Sequence, residues 1–302
     1  MNRPIIILGL GRSGTTWLSD IISKYSGGMV LFEPMHPGTY PASHHILYKD
    51  KLATVDAIDH ISGVLNKDIR SPWLLRNHLN SDVDVVDPFY VKSLWDKCAV
   101  IGFKSIRLNS SFIDIVQFYD ARLIYIIRHP LAVISSIVNR PNFWEDIGWK
   151  KHWKLLTDQI TKKYFKHLAS ICHSDIQKIA FYWGYLTSKA LKQLETLQIV
   201  PVFYEDLYLS PFERAEVLLR NLNLYSHPIH PAYLFTPSMM TMKTVHHKQY
   251  SQLRNRPKSL EFFWRETLDD VEIKSIFSII SKLCEYDNRL NSMCIEQNYL
   301  SA

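Results

Sequence analysis

Short runs of β-branched and other apolar residues alternate along the chain with segments in which apolar residues recur three and four positions apart. This alternation predicts a parallel sheet whose strands are joined by crossover helices. The predicted buried strands cover residues 4–8, 29–32, 100–104, 123–127 and 199–204. The predicted helices cover residues 15–25, 110–119, 130–138, 175–197, 211–222 and 269–285. Since no internal repeat and no Pro/Gly-rich linker interrupts the pattern, the prediction is one α/β domain over residues 1–302.

Two segments resist the alternating pattern. Residues 35–80 are rich in His, Pro and Ser, and residues 139–173 are rich in Trp, Lys and His. Long irregular insertions in compact domains are typically lids or binding loops. We therefore expect these two insertions to form an acceptor pocket.

Composition excludes several classes of protein. With 47% hydrophobic residues, 10 glycines and 14 prolines, the chain is neither disordered nor collagen-like. The four cysteines form no C-x-x-C pair, so the sequence indicates neither a disulfide scaffold nor a zinc site, and it favours a reducing compartment. No metal is expected.

The formal net charge of +6 suits an anionic ligand or an anionic surface. Finger spacings, basic heptads and aromatic ribonucleoprotein signatures are all missing from the sequence, so nucleic acid is not an expected partner. The apolar stretch near the start is too short for a secretory signal, and no run reaches the length of a membrane span. The expected location is cytoplasmic; a Golgi-lumenal domain whose anchor has been removed is the alternative.

A glycine-rich loop, Gly-Leu-Gly-Arg-Ser-Gly-Thr-Thr-Trp at residues 9–17, joins the first predicted strand to the first helix. Inward-facing backbone N–H groups and the positive end of a helix dipole make such a loop an anion site. Two known nucleotide-binding motifs are possible interpretations of this loop, a dinucleotide-binding motif and a Walker motif. Gly9, Gly11 and Gly14 fit G-x-G-x-x-G, and Glu33 lies where a dinucleotide-binding protein holds a ribose hydroxyl. A Walker motif, in contrast, requires lysine where this chain has Thr15.

The third interpretation is a phosphosulfate site that needs no metal. One cation and three hydroxyl groups surround Gly14, and they come from Arg12, Ser13, Thr15 and Thr16. Trp17 follows directly and offers a flat face to an adenine ring. This interpretation fits the side chains of the loop best.

A second motif follows the predicted strand at 123–127. Arg128 ends the strand, and Ser136 lies eight residues further on, about two turns into a predicted helix. An arginine and a hydroxyl placed in this way can converge on one phosphate. Two separate phosphate sites imply a nucleotide that is phosphorylated at two positions.

These motifs resemble those of the sulfotransferases that use 3′-phosphoadenosine 5′-phosphosulfate (PAPS). GRSGTTW resembles the family's 5′-phosphosulfate loop, and RHPLAVISS resembles its 3′-phosphate motif, with Arg128 and Ser136 at the matching positions. Tyr-Glu-Asp-Leu at residues 204–207 resembles the strand end at which a tyrosine, here Tyr204, packs beside the adenine. The resemblance implies a P-loop-type parallel sheet flanked by helices and PAPS as the sulfuryl donor.

The pattern also indicates a branch of that family. Ile106 stands where cytosolic phenol sulfotransferases have a catalytic histidine, whereas Phe-Glu-Pro at 32–34 and Trp-Arg at 264–265 resemble carbohydrate sulfotransferases. That resemblance implies Glu33 as the base, with His36 as the next candidate. Arg12 would neutralise the leaving phosphate, and Lys104 or Ser105 would assist at the sulfuryl group.

The expected activity is transfer of a sulfuryl group from PAPS to a hydroxyl of a glycan or glycolipid. Six lysines between residues 150 and 166 suit an anionic glycan or an anionic lipid surface, and equally a solvated basic helix face. The usual C-terminal 3′-phosphate loop is absent in its common form, although Arg254, Arg256 and Lys258 lie in the corresponding region. An NAD(P)-dependent oxidoreductase and a catalytically silent module that binds nucleotide or glycan are the alternative functions.

Overall fold

A central sheet of five parallel strands organises the protein. The computed structural model describes residues 3–41, 55–68, 71–76, 78, 88–138, 149–224, 234 and 263–300. The strands are β1 (Ile5–Gly9), β2 (Met29–Phe32), β3 (Val100–Ser105), β4 (Arg122–Ile127) and β5 (Val202–Phe203). Their spatial order is β2-β3-β1-β4-β5. The α/β class predicted from the apolar pattern is therefore confirmed.

The central strand is buried along its whole length. Side chains of β1 point alternately into two apolar clusters, Ile6 and Leu8 into one and Ile5 and Ile7 into the other. A strand covered on both faces needs a continuous apolar run, and the sequence of β1 supplies one. Gly102 lets β3 approach, because a Cβ there would lie 1.8 Å from the carbonyl oxygen of Ile5.

Helices cover both faces of this sheet. They are α1 (Thr15–Ser26), α2 (Val55–Leu65), α3 (Pro88–Lys97), α4 (Ile113–Phe118), α5 (Pro130–Val138), α6 (Trp149–Asp158), α7 (Lys163–Ser170), α8 (Asp175–Leu197), α9 (Tyr204–Leu209), α10 (Pro211–Asn221), α11 (Asp270–Cys284) and α12 (Asn288–Glu296). Short 3₁₀ helices span Pro72–Leu75 and Phe263–Glu266. Capping boxes at Ser174 and Asp269 fix the starts of α8 and α11, which pack together.

Two of the predicted elements are four residues shorter than expected. The strand predicted at 199–204 is only Val202–Phe203, since Pro201 has no N–H to give to the sheet and Tyr204 already opens α9. The helix predicted at 110–119 begins at Ile113. The side-chain oxygen of Gln193 accepts the backbone N–H groups of Phe112 and Ile113, and so caps that start.

The two insertions were expected to be irregular, and their described parts are largely helical. The first contains α2 and the 3₁₀ helix Pro72–Leu75, and the second contains α6 and α7. The apolar residues of α7, Phe165 and Leu168, are buried against the main core. Among the described residues, no helix is both long enough and apolar enough to cross a membrane.

The strand order also tests the dinucleotide-binding interpretation of the glycine loop. In the dinucleotide-binding order 3-2-1-4-5, β2 lies beside β1, so that an acid after β2 reaches the ribose. Here β3 lies between β1 and β2. Because β2 does not lie beside β1, Glu33 is not placed to bind the ribose of a dinucleotide held by the glycine loop. This disfavours the oxidoreductase alternative.

Candidate functional site

The residues singled out in the sequence gather at the carboxyl ends of the parallel strands, where α/β proteins generally bind their ligands. Glu33 follows β2, Lys104 lies near the end of β3, and the glycine loop follows β1. Arg128 follows β4, and Tyr204 follows β5. The sheet order sets them side by side along one edge.

The glycine loop is a tight turn whose shape depends on its glycines. A Cβ at Gly9 would lie 2.5 Å from the carbonyl oxygen of Ile126. Gly14 has a φ of 95°, and a Cβ there would lie 2.6 Å from the ring of Tyr204. As the N-cap of α1, Gly14 has no side chain with which to cap the first turn. The N–H groups of that turn have no partner within the helix and face the edge where a ligand would bind.

The polar side chains of the loop differ in exposure. Ser13 and Thr15 are buried, whereas Arg12 and Thr16 are partly exposed. Trp17 donates its indole N–H to the carbonyl of Leu234 at 3.2 Å. Its ring also meets that of Tyr204 edge to face, with 5.8 Å between the centroids. The two aromatic residues expected beside an adenine are thus neighbours.

The two predicted phosphate motifs meet in space. The Nε of Arg12 donates to the Oγ of Ser136 at 2.8 Å, across 124 positions of sequence. Nη1 of Arg128 donates to the carbonyl oxygen of Arg12 at 3.0 Å, and its guanidinium lies 4.3 Å from the ring centre of Tyr204. Arg12 itself has a left-handed backbone, with a φ of 72°. The Nε of Arg128 is buried and has no hydrogen-bond partner among the described residues, so this cation keeps bonding capacity.

Glu33 belongs to a closed, buried ion pair. It is 2% exposed, and its Oε1 lies 2.8 Å from the Nζ of Lys104. The backbone N–H of Ile106 lies 3.1 Å from Oε1 and 3.2 Å from Oε2. The hydroxyl of Ser105 lies 3.4 Å from Oε2. A φ of 48° at Glu33 turns the chain at the end of β2 and marks a strained backbone of the kind found at functional sites.

Burial lowers the pKa of Lys104, and the negative charge of Glu33 opposes that shift. The ammonium also lies 3.6 Å from the ring centre of Phe32. The two charges therefore depend on each other, because either one alone would be a costly buried ion.

His36 lies next to this pair. Its Nδ1 accepts the backbone N–H of Gly38 at 3.0 Å, so a neutral ring carries its proton on Nε2. The ring stacks on Trp73, with 3.9 Å between the centroids, and Trp73 meets Phe32 edge to face. An aromatic group therefore adjoins the carboxylate.

A buried network behind Arg128 was missed in the sequence. His129 stacks parallel to Trp264 at 4.6 Å and meets Tyr299 edge to face. The carboxylate of Glu205 accepts the backbone N–H of His129 at 2.9 Å and the hydroxyl of Tyr299 at 2.8 Å. Burial lowers the pKa of His129 to about 3, with the charge of Arg128 adding to the shift. Burial raises the pKa of Glu205.

One signal in the sequence could have found part of this network. Glu205 lies within the Tyr-Glu-Asp-Leu segment, where only the tyrosine was assigned a role. Tyr299 lies 94 residues further on and outside every motif, so nothing in the pattern points to it.

The predicted residues therefore form two neighbouring groups. The first contains the loop and its partners, namely Arg12, Ser13, Gly14, Thr15, Thr16, Trp17, Arg128, Ser136 and Tyr204. The second contains Glu33, His36 and Lys104. Ile106 links them, because its backbone holds Glu33 and its side chain lies 3.5 Å from where a Cβ of Gly11 would be.

Two further expectations concern residues around this edge. Arg254, Arg256 and Lys258 lie outside the described residues. Within the described ranges, no cluster of three or more His, Cys, Asp or Glu side chains could hold a metal ion.

Comparison with known proteins assigns the family. The sheet order and the glycine loop describe an α/β protein with a candidate ligand site at the carboxyl ends of its strands, and the sequence matches the model of the Sulfotransferase family over residues 4–228. The chain belongs to the sulfotransferase family. No curated protein matches the sequence.

Three solved structures are similar to this chain. The sulfotransferase domain from the curacin biosynthetic pathway has 17% identity and a TM-score of 0.45, over 93% of this chain and 98% of that one. The sulfotransferase domain of the Synechococcus PCC 7002 olefin synthase has 17% identity and a TM-score of 0.42, over 94% of each chain. A sulfotransferase from Alicyclobacillus acidocaldarius has 11% identity and a TM-score of 0.38, over 90% of this chain and 99% of that one.

Proposed function

We propose that the protein transfers the sulfuryl group of PAPS to a hydroxyl of a glycan or glycolipid and releases 3′,5′-bisphosphoadenosine. The observation that carries the proposal is the meeting of two anion-binding motifs at one sheet edge. Arg12 bonds Ser136, and Arg128 bonds the backbone of Arg12, so the two cations converge. A nucleotide with one phosphate group on each side would engage both.

The residues present fit such a nucleotide. The loop N–H groups with Ser13, Thr15 and Thr16 would hold the 5′-phosphosulfate, as helix N-termini hold phosphates elsewhere. Arg128 and Ser136 would hold the 3′-phosphate. Arg128 supports this assignment because it is only partly buried and borders a cleft that Tyr204 and Trp264 also line, where its guanidinium could bind a phosphate oxygen.

The aromatic pair beside the loop fits the base of the nucleotide. The rings of Trp17 and Tyr204 are in contact, and Arg128 covers a face of Tyr204. In this proposal adenine binds against Trp17 and Tyr204.

In the proposed transfer reaction, the glycine loop group acts on the leaving phosphate and the Glu33 group acts on the acceptor and the sulfuryl group. The acceptor oxygen forms a bond to sulfur as the bond from sulfur to the bridging oxygen of the 5′-phosphate breaks, and the acceptor proton passes to a base. Arg12 and the loop N–H groups stabilise the charge that develops on the leaving phosphate. Lys104 stabilises charge on the sulfuryl oxygens. No step needs a metal ion in this scheme.

Glu33 is the base in this proposal. Oε1 is engaged by Lys104 at 2.8 Å, whereas the two contacts of Oε2 are longer, at 3.2 and 3.4 Å. We assign Oε2 as the atom that receives the acceptor proton. His36 is less suited, because the lone pair of its Nδ1 already accepts the N–H of Gly38.

The neighbourhood of Glu33 supports a carbohydrate acceptor. Trp73 stacks on His36, and the guanidinium of Arg76 lies 4.6 Å from the ring centre of Trp73. The indole N–H of Trp73 is buried and lacks a hydrogen-bond partner within the described ranges. A separate observation is that α6 and α7 carry exposed lysines, among them Lys154, Lys163 and Lys166, whose positive charge suits an anionic glycan or lipid surface.

A thermal-shift panel tests the identity of the nucleotide. The protein is heated with 3′,5′-bisphosphoadenosine, NADH, or ATP with Mg²⁺, each at increasing concentration. A ligand at about 100 times its Kd adds roughly 2.7 kcal/mol to the free energy of unfolding. Stabilisation by the bisphosphate alone supports the proposal, and stabilisation by NADH alone overturns it.

Transfer is then measured with radiolabelled PAPS and three acceptor classes: a sulfatable glycan, a glycolipid in vesicles and a simple phenol. Label on the glycan or the glycolipid is expected. Label on the phenol alone would contradict the assigned acceptor class and leave the donor assignment intact.

A further inference from the structure

The peptide group between Arg128 and His129 is held from both sides by side chains. Its carbonyl oxygen, which belongs to Arg128, accepts the indole N–H of Trp183 at 3.2 Å. Its N–H, which belongs to His129, is bound by the carboxylate of Glu205 at 2.9 Å. Trp183 is fully buried in α8. Two side-chain hydrogen bonds to one peptide plane fix the backbone from which the Arg128 side chain extends.

The C-terminal segment closes this arrangement. Tyr299, 1% exposed, donates its hydroxyl to the second oxygen of Glu205, and Trp264 covers the ring of His129. Both residues lie beyond residue 228, where the match to the family model ends. Residues outside the matched region thus contact the residue that follows Arg128 in the motif inside it.

If Arg128 binds a 3′-phosphate, its guanidinium must be placed accurately. Its guanidinium must lie over Tyr204 and reach the backbone of Arg12 while still presenting N–H groups to the cleft. Charge-assisted hydrogen bonds depend on the direction of the donor, and a shift of the backbone at Arg128 would misalign all of them.

From these contacts we infer that Glu205 and Tyr299 are positioning residues for Arg128, and that they set the selectivity of the protein for a nucleotide carrying a 3′-phosphate. The inference rests on the proposed function, because it takes Arg128 as the ligand of that phosphate. Tyr299 is almost fully buried, and both carboxylate oxygens of Glu205 already accept hydrogen bonds, one from the backbone of His129 and one from Tyr299. Their effect is therefore expected on binding of 3′,5′-bisphosphoadenosine and not on binding of adenosine 5′-monophosphate.

The test compares Tyr299→Phe with Tyr164→Phe by calorimetric titration of both nucleotides. Each substitution removes one hydroxyl that donates a hydrogen bond to a distant part of the chain. The hydroxyl of Tyr164 donates to the carbonyl oxygen of Lys282, in α11. We expect Tyr299→Phe to weaken binding of the bisphosphate about three- to tenfold and that of the monophosphate less than about twofold. Tyr164→Phe should leave both affinities unchanged.

A pair of substitutions at Glu205 separates positioning from charge. Glu205→Gln keeps an oxygen that can accept the N–H of His129, and should retain bisphosphate affinity within about threefold. Glu205→Ala removes that acceptor and should cost at least about tenfold, again without loss of monophosphate binding. Thermal unfolding of each variant confirms that the compared proteins are folded.

The outcomes distinguish the two proposals. If the unsubstituted protein binds both nucleotides equally, the 3′-phosphate assignment itself fails. If it prefers the bisphosphate and that preference survives in folded Tyr299→Phe and Glu205→Ala variants, the positioning inference is overturned and the proposed function stands. Equal losses for both nucleotides also overturn it, because they would show a general loosening of the fold.

Discussion

The carboxyl ends of the strands form two regions that differ in how their charged side chains are bonded: the base half, at β2 and β3, and the nucleotide half, at β4 and β5. At the ends of β2 and β3, Glu33 and Lys104 are both almost fully buried and are bonded to each other. At the ends of β4 and β5, Arg128 is only partly buried and borders a cleft lined also by Tyr204, Glu205, Tyr208 and Trp264, and its Nε has no hydrogen-bond partner within the described part of the chain. Each charge of the closed pair is compensated within the protein, whereas a partly exposed arginine suits the binding of an anion.

This comparison predicts that the two halves can be disabled separately. The largest effect is expected for Glu33→Gln, which removes the proposed base and should lower turnover about 10²- to 10⁴-fold. Affinity for 3′,5′-bisphosphoadenosine should stay within about threefold. Steady-state rates and calorimetry on the same preparation measure both quantities. Turnover within about threefold of the unsubstituted enzyme would remove Glu33 from the role of base.

Loss of Glu33 also leaves Lys104 as an uncompensated buried cation, which typically costs about 3–5 kcal/mol in the free energy of unfolding. The double variant Glu33→Gln/Lys104→Met removes that cation and should recover most of the stability without recovering turnover. Denaturant unfolding of the single and double variants checks this. Recovery of activity together with stability would mean that Glu33 acts only through the fold.

A smaller effect, confined to the nucleotide half, is expected for Arg128→Ala. It should weaken binding of 3′,5′-bisphosphoadenosine about ten- to a hundredfold, the usual range for a lost charge-assisted contact. Binding of adenosine 5′-phosphosulfate, which has no 3′-phosphate, should change little. Arg220→Ala is the matched control, since Arg220 is an exposed arginine that pairs with Glu216. Equal losses for the two nucleotides would place Arg128 elsewhere.

The smallest predicted effect is on stability and depends on pH. His129 has a pKa of about 3 in the folded protein because it is buried, while an unfolded histidine has a pKa near 6.5. Between these values the unfolded chain binds a proton that the folded chain does not. His129 therefore lowers the free energy of unfolding by up to about 1.4 kcal/mol per pH unit as the pH falls from 6 to 4. Above pH 6.5 the ring is neutral in both the folded and the unfolded chain, so His129 no longer lowers the free energy of unfolding.

Urea unfolding at pH 7, 6, 5 and 4 measures this slope, and His129→Phe keeps a ring that can stack on Trp264 while it removes the titrating group. The slope of the variant should be shallower by about one proton. Identical slopes for the two proteins would show that His129 does not stay neutral in the fold.

The sequence predicted the sheet correctly because its signals are local, and the two motifs proposed to bind phosphate rest on equally local patterns. An apolar run such as β1 is typical of a strand buried on both faces, and a glycine loop between a strand and a helix is typical of an anion site. The motif of Arg128 and Ser136 was recognisable for the same reason. The strand expected at 199–204 was too long, since the local apolar pattern does not show where Tyr204 turns into a helix.

Contacts between distant parts of the chain could not be predicted in this way. Tyr299 meets Glu205 across 94 positions, and Arg12 meets Ser136 across 124. The pairing of Glu33 with Lys104 depends on β3 lying beside β2, which follows from the strand order. Each of these contacts is a consequence of topology, on which a pattern of neighbouring residues carries no information.

Calorimetric titration of the unsubstituted protein with 3′,5′-bisphosphoadenosine and with adenosine 5′-monophosphate tests the central claim most directly. The claim is that one half of the sheet edge is built to bind a 3′-phosphate through Arg128 and Ser136. Two such contacts predict that the bisphosphate binds at least about tenfold more tightly than the monophosphate. Equal affinities, or no binding of either nucleotide, would contradict it.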